Sequence, residues 1–242
     1  MDRLDLVGDD TRLSISGTIG LAEERIALEA RGDANLGILQ GFFRDVRGSG
    51  RAELMAAVNG PLYQPLFSGS AAITDGRLRH FSLPNSLEGI NGSVQFDSRG
   101  LRLDDLEAVV GGGRVVFGGR VEFDGYLPAD LNVTARGEGM QLRYPEGVRS
   151  TIDADLTVRG SAVSPTLGGT VTVRNAVWSR RMDPTAGILD FGGGGGQPGA
   201  APAAPSVPLR FELSVLVPST LRVENNLARL VASADLQLRG TY

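Results

Sequence analysis

Apolar and polar residues alternate along most of this chain, and a period of two is the mark of a β-strand. The clearest runs are Ile152-Asp-Ala154-Asp-Leu156-Thr-Val158-Arg, Leu209-Arg-Phe211-Glu-Leu213-Ser-Val215 and Ala232-Ser-Ala234-Asp-Leu236-Gln-Leu238-Arg. Leu13-Ser-Ile15-Ser, Ile26-Ala-Leu28-Glu-Ala30-Arg, Val121-Glu-Phe123-Asp and Val171-Thr-Val173-Arg follow the same rule. Successive side chains of a strand point to opposite faces, so each run gathers its aliphatic members on one face and its polar members on the other. An antiparallel sheet with one dry and one wet face satisfies this pattern.

Glycine punctuates the runs at Gly8, Gly17, Gly32, Gly60, Gly69, Gly76, Gly92, Gly100, Gly125, Gly160 and Gly169. Spacings of about 8–12 residues between turn signals suit a sandwich, a barrel or a long meander. Asp75-Gly76 and Asn91-Gly92 read as hairpin turns, because both pairs tolerate positive φ. Helical spacing is scarce. Leu36, Leu39 and Phe43 share one helical face and predict one short helix over Leu36–Phe43, weakened by Gly37 and Gly41.

The chain also repeats itself. Val58, Gly60, Pro65, Gly69, Ile73 and Asp75 align without a gap to Val158, Gly160, Pro165, Gly169, Val173 and Asn175. The heptad Ala154-Asp-Leu-Thr-Val-Arg-Gly160 returns as Ala234-Asp-Leu-Gln-Leu-Arg-Gly240, and Ala129-Asp-Leu-Asn-Val133 is a partial copy. Repeats of this size predict a stack or sheet that grows by adding hairpins. Residues 1–242 therefore read as one elongated β-repeat segment, interrupted at 192–208 by a Gly/Ala/Pro-rich run expected to form a flexible insertion between two strands. The strand pattern is already under way at Leu4 and still running at Gly240, so the chain reads as a piece excised from a longer protein.

Composition narrows the chemistry. Of 242 residues 34 are glycine and only 6% are aromatic, which disfavours a thick core of large side chains. The formal net charge is −4 and no basic run stands out, so a nucleic-acid footprint is unsupported. With no cysteine there is no disulfide, thiolate metal site or cysteine nucleophile. His80 is the single histidine, following Arg77-Leu-Arg79 in a strand-like stretch, and reads as a surface or turn residue. Asp9-Asp10 and Asp104-Asp105 are sequence neighbours, which a strand would point to opposite faces, so they do not make an acid/base pair. Gly111–Gly113 and Gly192–Gly196 lack the Lys-Ser/Thr of a phosphate loop. The charge-free stretch Phe191–Leu209 is long enough to span a membrane, but Pro198, Pro202, Pro205 and Pro208 break it as a helix. No enzyme and no cofactor is expected. From the alternation alone, the dry strand faces either close on each other in a sandwich or remain open as a trough.

Four stretches resemble the TamB family, the inner-membrane-anchored subunit of the translocation and assembly module, related to AsmA-like and bridge-like lipid transfer proteins. They are Leu36-Gly-Ile-Leu39 through Val46-Arg-Gly-Ser-Gly50-Arg-Ala-Glu-Leu54; Val58-Asn-Gly60-x4-Pro65-x3-Gly69-x5-Thr74-Asp-Gly76-x-Leu78; Leu87-Glu-Gly-Ile90-Asn-Gly92-Ser-Val-Gln-Phe96 with Leu101-x-Leu103-x2-Leu106-x4-Gly111-Gly-Gly113; and Leu156-x-Val158-x-Gly160-x4-Pro165-x-Leu167-x-Gly169-x-Val171. The resemblance implies an all-β fold, an elongated antiparallel sheet curled into an open half-pipe (a β-taco). It implies a periplasmic segment of a bridge that conducts phospholipids between inner and outer membrane and supports outer-membrane assembly. The implied partners are phospholipid acyl chains, an outer-membrane Omp85-type, TamA-like barrel, and the inner membrane through an anchor that this stretch does not contain. On that reading Ile152, Ala154, Leu156, Val158, Val171, Val173, Phe211, Leu213, Val215, Ala234, Leu236 and Leu238 are candidate groove residues. The alternative is a structural or chaperone-like β-template that assists outer-membrane protein or autotransporter assembly.

Overall fold

The computed structural model describes residues 3–8, 10–41, 45–80, 85–125, 127–143, 147–179, 208–224 and 229–241. They form thirteen strands: β1 (Leu4–Gly8), β2 (Thr11–Gly20), β3 (Arg25–Asn35), β4 (Val46–Pro61), β5 (Leu66–His80), β6 (Leu87–Asp97), β7 (Gly100–Val110), β8 (Gly113–Asp124), β9 (Leu127–Leu142), β10 (Val148–Ser161), β11 (Thr166–Trp178), β12 (Arg210–Glu224) and β13 (Arg229–Thr241). All thirteen belong to one sheet, in sequence order from β1 to β13. The fold is all-β, as the alternation predicts. The predicted helix is a short 3₁₀ turn, Leu36–Gly41, between β3 and β4; Phe43 lies outside the described residues, as does the expected insertion up to residue 207.

Every pairing is antiparallel except one. β11 and β12 run parallel, with Leu167 opposite Phe211 and Val171 opposite Val215. A parallel neighbour requires the chain to return to the opposite end of the sheet before pairing again. The pattern of alternating residues carries no sign of this reversal, because parity along a strand is the same in either direction. We call the end that holds the β2–β3, β4–β5, β6–β7, β8–β9 and β10–β11 turns the lower end, and the end that holds the 3₁₀ turn the upper end.

The internal repeat is a real structural equivalence. In the β4–β5 hairpin Ala52, Ala56 and Val58 face Ile73, Gly69 and Phe67. In the β10–β11 hairpin Ile152, Leu156 and Val158 face Val173, Gly169 and Leu167. The turns close alike, with Gln64 N donating to the Pro61 carbonyl at 3.1 Å and Ser164 N to the Ser161 carbonyl at 3.0 Å.

The structure corrects the two predicted hairpin turns. Asp75-Gly76 lies inside β5 and Asn91-Gly92 inside β6, and both sit at register shifts of the β5–β6 ladder. Asp75 has φ 49°, and its amide donates to Asn91 Oδ1 at 3.1 Å. A β-bulge needs a residue that accepts positive φ just as a hairpin turn does, so the dipeptide signal could not tell the two apart. Most further shifts fall toward the upper end, at Ser49/Arg51, Leu103/Leu106, Ile152/Ala154, Thr172/Ala176 and Val217/Leu221, whereas that of the β8–β9 ladder, Glu122/Phe123, lies at the lower end. A bulge bends its strand and raises the local twist. The bends on β7 begin at the row of Leu103 and Val158, and those on β10 to β12 begin four to six residues above it.

Candidate functional site: a continuous apolar face

Residues opposite one another in a ladder share a face, so the registers fix which side chains lie together. Ala154 faces Val171, which faces Val215, which faces Leu236. Leu156 faces Gly169, followed by Leu213 and Leu238; Val158 faces Leu167, followed by Phe211 and Gly240. Ile152 faces Val173, and Ala234 faces Val217. All twelve residues singled out from the sequence therefore lie on one face of the sheet. They differ in cover: Ile152, Ala154 and Val173 are buried, Leu236 and Leu238 on the edge strand are 56% and 51% exposed, and the others are half-buried or intermediate.

The face reaches well beyond those four strands. From Val158 it continues through Val133 on β9, Gly119 on β8, Leu103 on β7 and Val94 on β6. It runs on through Ala71, Leu54, Gly32 and Leu13 to Leu6 on β1. Sequence reasoning left these residues out of the candidate set, although runs such as Leu13-Ser-Ile15 and Val121-Glu-Phe123 carried the same alternation. Among the described residues, no polar or charged side chain is buried. Gly169 has φ 127°, and a Cβ there would fall on the Asp155 carbonyl oxygen. The strands approach so closely at that point that only glycine fits.

The opposite face is charged. Asp153, Asp155, Thr157 and Arg159 of β10 point there, the reverse of their apolar neighbours. Ion pairs cross from strand to strand: Arg136–Asp155 at 2.7 Å, Arg159–Glu212 at 3.0 Å across the intervening β11, Arg114–Glu107 and Arg174–Asp153. Exposed pairs of this kind contribute at most about 1 kcal/mol each. Their larger effect is on which face is wet, since every such pair keeps one side of the sheet hydrated.

Asp153 is tied to the bulge opposite. Gly139, with φ 65°, donates its amide to Asp153 Oδ1 at 2.8 Å, and Arg174 pairs with the same carboxylate. The Gly139 hydrogen bond first, then Arg174, hold the Asp153 pKa below the ordinary carboxylate value. A depressed folded-state pKa gives stability that is present above the unfolded pKa and lost as pH falls through the folded one. We expect Asp153→Asn to be less stable than the parent at neutral pH, with the difference closing as pH falls below the carboxylate range. Thermal melts of both proteins from pH 7 to pH 3 check this; a gap that stays constant with pH would contradict it.

His80 is the last residue of β5, opposite Val46. Among the described residues there is no group of three or more His, Asp or Glu placed to hold a metal ion, and no helix is long and apolar enough to cross a membrane. No significant match exists among curated proteins or solved structures. The family model described as the TamB C-terminal domain matches residues 98–242, from the β6–β7 turn through β13, so that two of the resembling stretches (Leu36–Leu54 and Val58–Leu78) and the Leu87–Phe96 run lie ahead of the matched segment. With well over half its length matched, the chain belongs to the TamB family.

Proposed function

We propose that this chain is a segment of a periplasmic bridge whose apolar face conducts phospholipids between the inner and outer membranes, and so supports outer-membrane assembly. One observation carries the reading. In the lower half of the sheet, the face that holds Val158 consists of Gly, Ala, Val, Leu, Ile and Phe, with Pro128 at the lower end of β9, on every strand from β2 to β13. A hydrocarbon chain needs no hydrogen bond from its host. Each CH₂ removed from water gains about 0.8 kcal/mol, and neighbouring rows offer nearly equal affinity. A lipid can then slide from row to row without meeting a deep well or a polar barrier. Such transport needs no catalytic group, in keeping with a non-catalytic family.

The bulges on most ladders support a sheet curled into a half-pipe around this face, since each bends its strand and raises the local twist. Membership of the TamB family supports a periplasmic location, an anchor in the inner membrane elsewhere in the full protein, and an Omp85-type, TamA-like partner. Of the twelve residues named above, Ile152, Ala154 and Val173 are buried beside the track, and the more open ones, such as Val158, Leu236 and Leu238, line its C-terminal part.

A photo-reactive phenylalanine analogue at Val158 or Thr157 of the full-length protein tests the reading, because the two neighbours point to opposite faces. Phospholipid adducts at Val158 and none at Thr157 are expected. Adducts at neither position, or equally at both, would sink the conduit. A second reading, a β-template that pairs with client strands, draws on the open edges of β1 and β13, where Leu4, Leu6, Val7, Leu230 and Val231 are exposed. It predicts protein adducts along β13 in place of lipid adducts on β10.

A further inference from the structure

We infer that only the lower half of the apolar face carries lipid, and that the upper half is the sheet's own core. The inference rests on the conduit reading and divides its surface in two. The fully buried apolar side chains of the described residues all lie at the level of the bulges or above it: Ala34 and Ala52, then Ile90, Val115 and Ile152, through to Val217. Around Val115, Met140, Ile152 and Val173 they form one packed cluster. At the other end of that row, the 3₁₀ turn lays Leu36 over Gly76 and Ile90: a Cβ on Gly76 would come within 2.9 Å of Leu36 Cδ1 and 3.1 Å of Ile90 Cβ. This level is filled by protein, with no room for a guest.

Below the bulges the same face changes character without changing composition. Leu101, Val121, Leu131, Val133, Val158 and Leu167 are all only half-buried. Nothing in the registers distinguishes these residues from the packed ones; what differs is whether neighbouring side chains reach over them. The open band on β9 runs from Ala129 to Val133, with Ala135 above it packed against the buried cluster; at about 3.4 Å per residue the band is roughly 14 Å wide. Packed hydrocarbon chains approach to about 4 Å between carbons, so the band is wide enough for the two acyl chains of one phospholipid side by side. A peptide guest fits this band poorly, because the strand backbone groups are already paired within the sheet and the face offers no donor or acceptor.

These 242 residues hold no cysteine, and with any cysteine elsewhere in the full-length protein first replaced by serine the partition is directly measurable. Single cysteines are placed in the full-length protein at Val133→Cys and Val158→Cys in the open band, at Val115→Cys and Val173→Cys in the packed band, and at Thr157→Cys on the charged face. Cysteine behaves as a small hydrophobe, so these changes are mild. Maleimide alkylation is followed without lipid and with phosphatidylethanolamine–phosphatidylglycerol vesicles, and urea-unfolded samples confirm that every thiol is reactive. Alkylation at Val133→Cys and Val158→Cys should be rapid without lipid and slow by at least about tenfold with it. At Val115→Cys and Val173→Cys it should be slow in both states, and at Thr157→Cys rapid in both. Lipid-dependent protection in the packed band equal to that at Val158→Cys would overturn the partition while leaving the conduit standing. No protection at Val133→Cys or Val158→Cys would overturn conduit and partition together.

Discussion

Val158→Arg is expected to abolish lipid passage while leaving the fold in place, and Thr157→Arg, one residue away, is expected to be silent. Val158 is half-buried on the apolar face, between Val133 and Leu167. Its long arginine replacement can lay its stem along the sheet and carry the guanidinium to water, as such side chains do at apolar surfaces. Folding therefore costs little. A passing acyl chain has no such escape. To occupy the row it must desolvate an unpaired charge, which costs several kcal/mol, and each 1.4 kcal/mol lowers occupancy tenfold. One arginine is a barrier for the whole track because the rows act in series. Thr157 faces the charged side, beside Arg136–Asp155 and Arg159–Glu212, where another arginine is solvated. Both variants are made in the full-length protein, and phospholipid crosslinking and outer-membrane integrity are measured alongside circular dichroism. Loss of at least about tenfold in crosslinking for Val158→Arg alone, with unchanged melting, is the expected result. Unfolding of Val158→Arg would instead mark this row as closed core.

Ile90→Ala is expected to destabilise the sheet by about 2–5 kcal/mol, the usual cost of emptying a packed apolar site. Ile90 is 1% exposed, the most deeply buried large side chain described, wedged at the β5–β6 bulge beneath Leu36. The surrounding backbone is held by the Asp75–Asn91 hydrogen bond, so the site cannot collapse easily around the cavity. Val133→Ala, the same kind of truncation on the open band, leaves no enclosed void and should cost about 1 kcal/mol or less. Denaturant melts of both variants test the contrast. Equal costs at the two sites would mean that the open band is as tightly packed as the bulged one, and that it has no free surface for a lipid.

The face assignment was legible in the sequence because it depends on parity alone. Ile152, Ala154, Leu156 and Val158 lie on one side whatever strand comes next, and Asp153, Asp155, Thr157 and Arg159 on the other. The repeat was legible for the same reason: residues 58–75 and 158–175 share turn and strand chemistry, and their hairpins keep one register from the turn up to the Ala52–Ile73 and Ile152–Val173 pairs.

Tertiary structure decided what lies above each apolar residue. Ala154 and Val158 belong to one alternating run, yet one is buried and the other half-open, because burial depends on neighbours brought in from β9, β11 and β12. Bulges were hidden in plain text. Leu103-x2-Leu106, Gly137-x2-Met140 and Val173-x2-Ala176 break the period of two, and each marks a register shift. Read locally, such a slip looks like an imperfect strand; only the recurrence of slips across many ladders gives it meaning. The parallel β11–β12 pair was equally invisible, since side-chain parity does not record strand direction. Period two is a property of the backbone and travels with the sequence, whereas strand order, direction and cover are properties of contacts between residues far apart in the chain.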